Sequence, residues 1–250
     1  MNLKENWTSN KIPIAVGVFI ILIVGALSSY FVYEEVFDDE DDEMTWTEFF
    51  NIENRNFSSI GRNEYFILEP GYQLTLEGEE DDESVKLVIT ILNETIMVGN
   101  VETRVLEERE WVNGELVEVS RNYFAICNDT KAIFYFGEAV DDYEGGVVVS
   151  HEGEWRADEG NNKAGIMMPA LPLVGSRYYQ EIAPGIAMDR AEIISNDLTL
   201  ETPAGTFEHC VKMEETTPIE PDEKEYKVHA PGIGLIQDEF LLLTSYGFTG

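Results

Sequence analysis

Hydrophobic residues fall along this chain in three regimes. From Ile12 to Tyr33 there are 22 residues without a charge. As a helix rising about 1.5 Å per residue, the stretch is roughly 33 Å long, and a hydrocarbon core is about 30 Å thick. Over 34–43 the chain is almost entirely Asp and Glu and reads as a solvated spacer of like charges. From Tyr65 onward apolar and polar positions alternate with a period of two, the signature of half-buried strands. Tyr72, Leu74 and Leu76 alternate with polar neighbours, and Val85, Leu87, Ile89 and Ile91 do so again beyond an acidic loop over 78–84.

Turn residues punctuate the alternation. Val98-Gly99-Asn100-Val101 predicts a tight hairpin. Val112-Asn113-Gly114-Glu115 predicts a type I′ turn, because Asn and Gly tolerate positive φ. Asn128-Asp129-Thr130-Lys131 folds 123–126 back onto 132–136, and a short strand follows over 145–150. Pro184-Gly185, Pro203-Ala204-Gly205 and Pro231-Gly232 separate strands over 177–182, 186–195, 198–202, 206–214, 224–230 and 234–243. Two elements stand apart. Thr45 as cap with Glu48 predicts a short helix over 45–50 that packs Trp46, Phe49 and Phe50 on the domain. The run over 164–172 contains Met167-Met168 and two prolines and reads as an ordered apolar loop.

About a dozen strands joined by short turns make an antiparallel meander, which must curl, close or double over to hide its edges. The expected fold is an all-β ectodomain curled as a half-barrel or open barrel, preceded by one N-terminal transmembrane helix. The expected division is a short cytoplasmic tail over 1–11, the membrane helix over 12–33, the spacer over 34–43 and an extracytoplasmic all-β domain over 44–250. Lys4 and Lys11 precede the apolar run, and no basic residue follows it until Arg55. The positive-inside rule therefore places the N-terminus in the cytoplasm and the domain outside a cell membrane. A cleaved signal peptide is the competing reading; its apolar region is normally about 7–15 residues, shorter than this one. Ala26-Leu27-Ser28 resembles a cleavage site. Cys127 is the first cysteine, so no N-terminal thiol is offered for a lipid.

Charge narrows the partners. With 16 Lys and Arg against 49 Asp and Glu, the net charge is −33. Nucleic acid and anionic lipid surfaces would be repelled, whereas divalent cations would be attracted. The expected partners are the membrane, through 12–33, and a lipid or protein. Cys127 and Cys210, both on the oxidising side, are either bridged, closing a loop of about 84 residues, or two buried free thiols. Asn56-Phe-Ser, Asn93-Glu-Thr and Asn128-Asp-Thr are N-glycosylation acceptors by spacing. His151, His209 and His229 lack the spacing of a zinc motif. The chain has no nucleophile elbow, Walker loop or dinucleotide fingerprint. No cofactor or metal is expected. Among so many acids, no carboxylate pair can be singled out for glycosidase chemistry. The aromatics, among them Tyr123, Phe124, Phe134, Tyr135, Phe136 and Trp155, read as core more than as a ligand box.

Several segments carry a resemblance. Phe134-Tyr135-Phe136-Gly137-Glu138, Gly153-Glu154-Trp155, Gly165-Ile166-Met167-Met168-Pro169-Ala170, Thr202-Pro203-Ala204-Gly205-Thr206-Phe207 and Ala230-Pro231-Gly232-Ile233-Gly234-Leu235 resemble secreted proteins of the DUF3108-like group. That group's fold is similar to the half-barrel of the LolA/LolB lipoprotein carriers. The resemblance spans about residues 65–243 and implies a concave apolar face able to hold a lipid or apolar peptide. It supplies no catalytic residues. Three functions follow as expectations: a tethered binding domain for a lipid or other apolar ligand, a docking module of a surface complex, and a carboxylate-based hydrolase. A closed apolar cavity favours the first, and a dry interior with an exposed apolar patch the second. A cleft holding carboxylates of raised pKa favours the third.

Overall fold

A computed structural model describes residues 45–80 and 82–249. The tail, the membrane helix expected over 12–33 and the spacer lie outside these residues. Among the described residues no helix is long and apolar enough to cross a membrane.

The chain enters extended, without the helix expected over 45–50. Thr47 makes a parallel bridge to Tyr178, its N–H donating to the Arg177 carbonyl at 3.0 Å. The aromatic pattern explains the difference. Trp46 lies against Tyr179 and under Arg190, and Phe50 is buried on Phe134, while Phe49 is 74% exposed. A helical turn would not spread these contacts so far apart. A 3-10 turn at Ile52–Asn54 then leads into β1 (Phe57–Ser58), β2 (Gly61–Asn63) and β3 (Phe66–Leu68).

The meander follows: β4 (Tyr72–Glu80), β5 (Glu83–Val98), β6 (Val101–Val112), β7 (Glu115–Cys127) and β8 (Ile133–Glu144). Each pairs antiparallel with the next. The turn at Asn113-Gly114 has φ of 53° and 82°, as the type I′ reading requires. The acidic residues expected as a loop extend the ladder on both sides of its tip: Gly78 pairs with Val85 and Glu80 with Glu83. Gly78 carries no side chain because a Cβ there would meet the Phe240 carbonyl at 2.7 Å.

Then come β9 (Val147–Ser150), β10 (Trp155–Arg156), β11 (Lys163–Met168), β12 (Arg177–Tyr179) and β13 (Glu181–Ile182). The apolar run expected as a loop is therefore a strand in its first half. Its prolines begin only at Pro169, so they do not interrupt the pairing of Gly165 with Tyr135 and Ile166 with Phe134. The chain ends with β14 (Arg190–Thr202), β15 (Gly205–Thr216), β16 (Glu225–Ala230), β17 (Gly234–Asp238) and β18 (Leu241–Phe248).

The order around the sheet is β12, β14, β15, β16, β17, β18, β4, β5, β6, β7, β8, β11, β13. Its two edge strands, β12 and β13, are neighbours in the chain, with only Gln180 between them. One residue thus joins the opposite edges, and the sheet curls into a nearly closed barrel. Gly165 makes that seam: a Cβ on it would lie 2.3 Å from the Tyr179 carbonyl oxygen. On β8, Tyr135 faces the interior, while Phe134 and Phe136 face out and are covered edge-on by Phe57.

The hairpin of β2 and β3 plugs one end. Phe66 packs edge-on against Phe124 at 5.3 Å, and the Asn63 amide donates to the carbonyls of Lys131 and Pro169. The Pro231-Gly232 turn docks on the plug, the Gly232 N–H donating to the Glu64 carbonyl.

Candidate functional site

The other end of the barrel is open. Inside it is a cavity of about 860 Å³, walled by the ends of β6, β7, β8, β15 and β16 and by the turn over 183–187. Strand periodicity puts its functional groups there. Along β7 the same-face positions change from Phe124 through Asn122 and Ser120 to Glu118, and along β6 from Leu106 through Glu108 to Glu110. On β15 Val211 and Met213 give way to Glu215, and on β16 His229 gives way to Lys227 and Glu225.

Low in the barrel, Lys227 organises the polar floor. Its Nζ is 2.8 Å from Glu215, 3.8 Å from Glu225 and 3.9 Å from Asp238. Burial works against this ammonium, but Asp238, Glu215 and Glu225 together hold it protonated well above the ordinary range. Gln180, the residue that bridges the seam, donates to the other Glu215 oxygen at 2.7 Å. His229 is pushed down to about 4, first by burial. Burial raises Asp238 and Glu108 to about 7 each, with Lys227 opposing the shift.

Higher up, burial and neighbouring acids outweigh the pull of Lys227. Burial, with Glu108 adding to it, pushes Glu138 up to about 8. Burial and then Glu138 and Glu110 raise Glu118 to about 10. Glu181 accepts the Asp189 N–H at 2.7 Å, and burial next to Asp189 raises it well above the carboxylate range. Three atoms on this wall, Glu138 Oε1, Glu181 Oε2 and Trp155 Nε1, are buried without a hydrogen-bond partner. Trp155 stands edge-on to Tyr135 at 5.1 Å, so the wall also offers aromatic surface.

The site residues expected from sequence lie elsewhere. Cys127 and Cys210 are both buried free thiols, so of the two alternatives the structure holds the unbridged one. Cys127 ends β7, with an Arg55 Nη1 at 3.8 Å; Cys210 lies in β15, paired with Leu198. Asn56, Asn93 and Asn128 are all exposed. Asn56 and Asn128 are brought side by side, the Asn128 N–H donating to the Asn56 carbonyl at 2.8 Å. His209 pairs with Asp197 on the surface, and His151 with Asp141. Among the described residues no three His, Cys, Asp or Glu side chains are placed to hold a metal ion.

Sequence reasoning passed over the cavity carboxylates because acids are everywhere in this chain. The signal that marks them is phase: Glu118, Ser120 and Asn122 share the face of Phe124, and Glu108 and Glu110 share that of Leu106. No protein-family profile, no curated protein and no solved structure matches the chain.

Proposed function

We propose that this protein is a binding protein, held to the outer side of a membrane by residues 12–33, and that the open barrel mouth is its ligand site. One observation carries the reading. A cavity of about 860 Å³, within the size range of small-molecule sites, has Glu138 Oε1 and Glu181 Oε2 buried in its wall without a hydrogen-bond partner. A buried polar atom left unpaired costs about 1–3 kcal/mol, and a ligand donor would recover it.

The raised carboxyls of this cleft, Glu118, Glu138, Glu181 and Asp189, are the feature expected of a carboxylate-based hydrolase, which is the second reading. The deeper pocket beside Phe66, Leu74 and Phe124 holds only about 70 Å³, room for a few water molecules and not for an acyl chain, so a lipid would have to lie in the mouth.

The test is hydrogen–deuterium exchange on the full chain in detergent, with three probes: spermine, decane-1,10-diol and decanoate. At least one is expected to slow exchange across residues 112–118, 138–144 and 216–225. Protection confined to other strands, or none with any probe, overturns the reading. Turnover of a chromogenic glycoside that is lost on Glu138→Gln replaces it with the hydrolase.

A further inference from the structure

The chemistry of the wall points to a ligand class. This inference rests on the reading of the mouth as the ligand site. Fourteen residues lining the cavity are Glu or Asp, and none is Lys, Arg or His. The nearest interior cation, Lys227, is already committed to Glu215 below. Acidic lining alone would say little on so acidic a chain. The second observation is Glu138 Oε1, a carboxylate oxygen in a side chain 6% exposed, facing the cavity with no donor. Buried carboxylates normally have their lone pairs filled, so this atom marks the position of a missing donor.

The donor's form follows from the arrangement. The carboxylates do not converge on a point suited to one metal ion. They are spread along the wall, with Val112, Leu116, Val140 and Ile186 between them and the rings of Tyr135 and Trp155 beside Glu138. A ligand that fits must alternate positive donors with apolar spacers. An anionic amphiphile would find no cation in this wall to pair with.

We infer that the barrel mouth binds an extended organic polyamine, its ammonium groups held by Glu118, Glu138 and Glu181 and its methylene segments laid against Tyr135, Trp155 and Val140. The ring faces add cation–π attraction for an ammonium between them. Because the wall carboxyls hold protons when the cavity is empty, polyamine entry releases protons. Binding therefore tightens as pH rises.

The experiment is calorimetric titration of the full chain in detergent with spermine at 0.15 M salt, where diffuse surface attraction is screened over about 8 Å. Saturable binding of one spermine is expected, tighter at pH 8 than at pH 6, with proton release visible as a dependence on buffer ionisation enthalpy. Glu118→Gln combined with Glu138→Gln weakens it by more than about tenfold. Glu201→Gln combined with Glu208→Gln, both exposed and away from the mouth, leaves it unchanged. Equal loss in both double variants means diffuse charge attraction and overturns the polyamine assignment. So does displacement of spermine by equimolar calcium. Mouth protection in hydrogen exchange by decanoate or the diol, with spermine inert, also overturns the assignment but leaves the ligand site standing. Absence of mouth protection by all three probes removes the site itself.

Discussion

The same strands build both ends of this barrel, and the two ends differ in what each strand turns inward. At the plugged end, Leu106, Phe124, Ile133 and Val211 are buried, and the pocket beside Leu106 and Phe124 holds only about 70 Å³. At the open end the same strands present Glu110, Glu118, Glu138 and Glu215 around about 860 Å³. Backbone pairing continues through both, since Glu118 pairs with Asp142 in the ladder that pairs Ile126 with Ile133. The difference teaches that the ladder sets the shape of the barrel while side-chain chemistry sets where it is stable. Apolar packing fixes one end, and the other is left free to hold charge at a cost in stability.

Truncation of the two ends should break the symmetry most clearly. Ile133→Ala at the plugged end is expected to cost about 2–5 kcal/mol, because close-packed neighbours collapse only partly onto the cavity. Leu116→Ala, half-buried at the mouth, is expected to cost less than about 1 kcal/mol. Urea midpoints at a constant m-value report both. Equal costs would mean that the mouth is as tightly packed as the plug.

Lys227→Met tests the boundary between the two regions. Removing the ammonium strips Glu215 and Asp238 of their counter-charge inside the barrel, and breaking such a pair costs about 3–5 kcal/mol. The loss should be larger at pH 8 than at pH 5, because protonation of the orphaned carboxyls relieves it. A pH-independent loss would assign Lys227 a packing role only.

How far the sequence carries differs between the two ends for the same reason. The plugged end follows the alternation of Tyr72 and Leu74 and of Ile89 and Ile91, where burial and period agree. Turns with a backbone requirement, Asn113-Gly114 above all, fall where the residues place them. Strand ends in acidic sequence are less legible: Glu79 and Glu80 look like loop but are paired, because the backbone partner comes from Glu83 and Ser84 whatever the side chains prefer. The strand at Lys163–Met168 is hidden by its prolines, and only its neighbour β8 reveals it. The mouth is least legible. Nothing local separates Glu118 from Glu115, and only the phase with Asn122 and Phe124, plus closure of the sheet at Gln180, turns Glu118 into a wall residue.

The two ends should also respond oppositely to pH. Glu138 is raised from about 4.5 to about 8, so the folded state holds a proton that the unfolded chain releases. Its stabilising contribution is complete below about pH 4.5 and is lost as pH rises toward 8, and Glu108 and Asp238 act in the same sense up to about 7. His229 works the other way, since burial makes its protonation costly below about pH 6.5. Three carboxyls outweigh one imidazole, so melting temperature should fall from pH 5.5 to pH 8.5. Glu138→Gln should flatten that fall while leaving Ile133→Ala as costly as before. A melting temperature that rises over this interval would mean that the mouth carboxylates are ionised and compensated in the free protein.

The smallest effect sharpens the comparison from outside the barrel. Asp158 accepts the Gly99 N–H at 2.9 Å and both Arg156 donors, tying the β5–β6 turn to the chain after β10. Arg156 and then Gly99 hold its pKa down at about 2. Here the carboxylate is ionised and solvated, the reverse of Glu138. Its contribution is present above about pH 4 and lost as pH falls toward 2. Because the pair is largely exposed, Asp158→Asn should cost no more than about 1 kcal/mol at pH 7. The cost should shrink further in 1 M salt, where screening acts over about 3 Å. Glu138→Gln, walled off from solvent, should keep its effect on the pH slope in the same salt. If salt erased both effects equally, the mouth would be as open to ions as the surface, and its carboxylates would need no ligand to balance them.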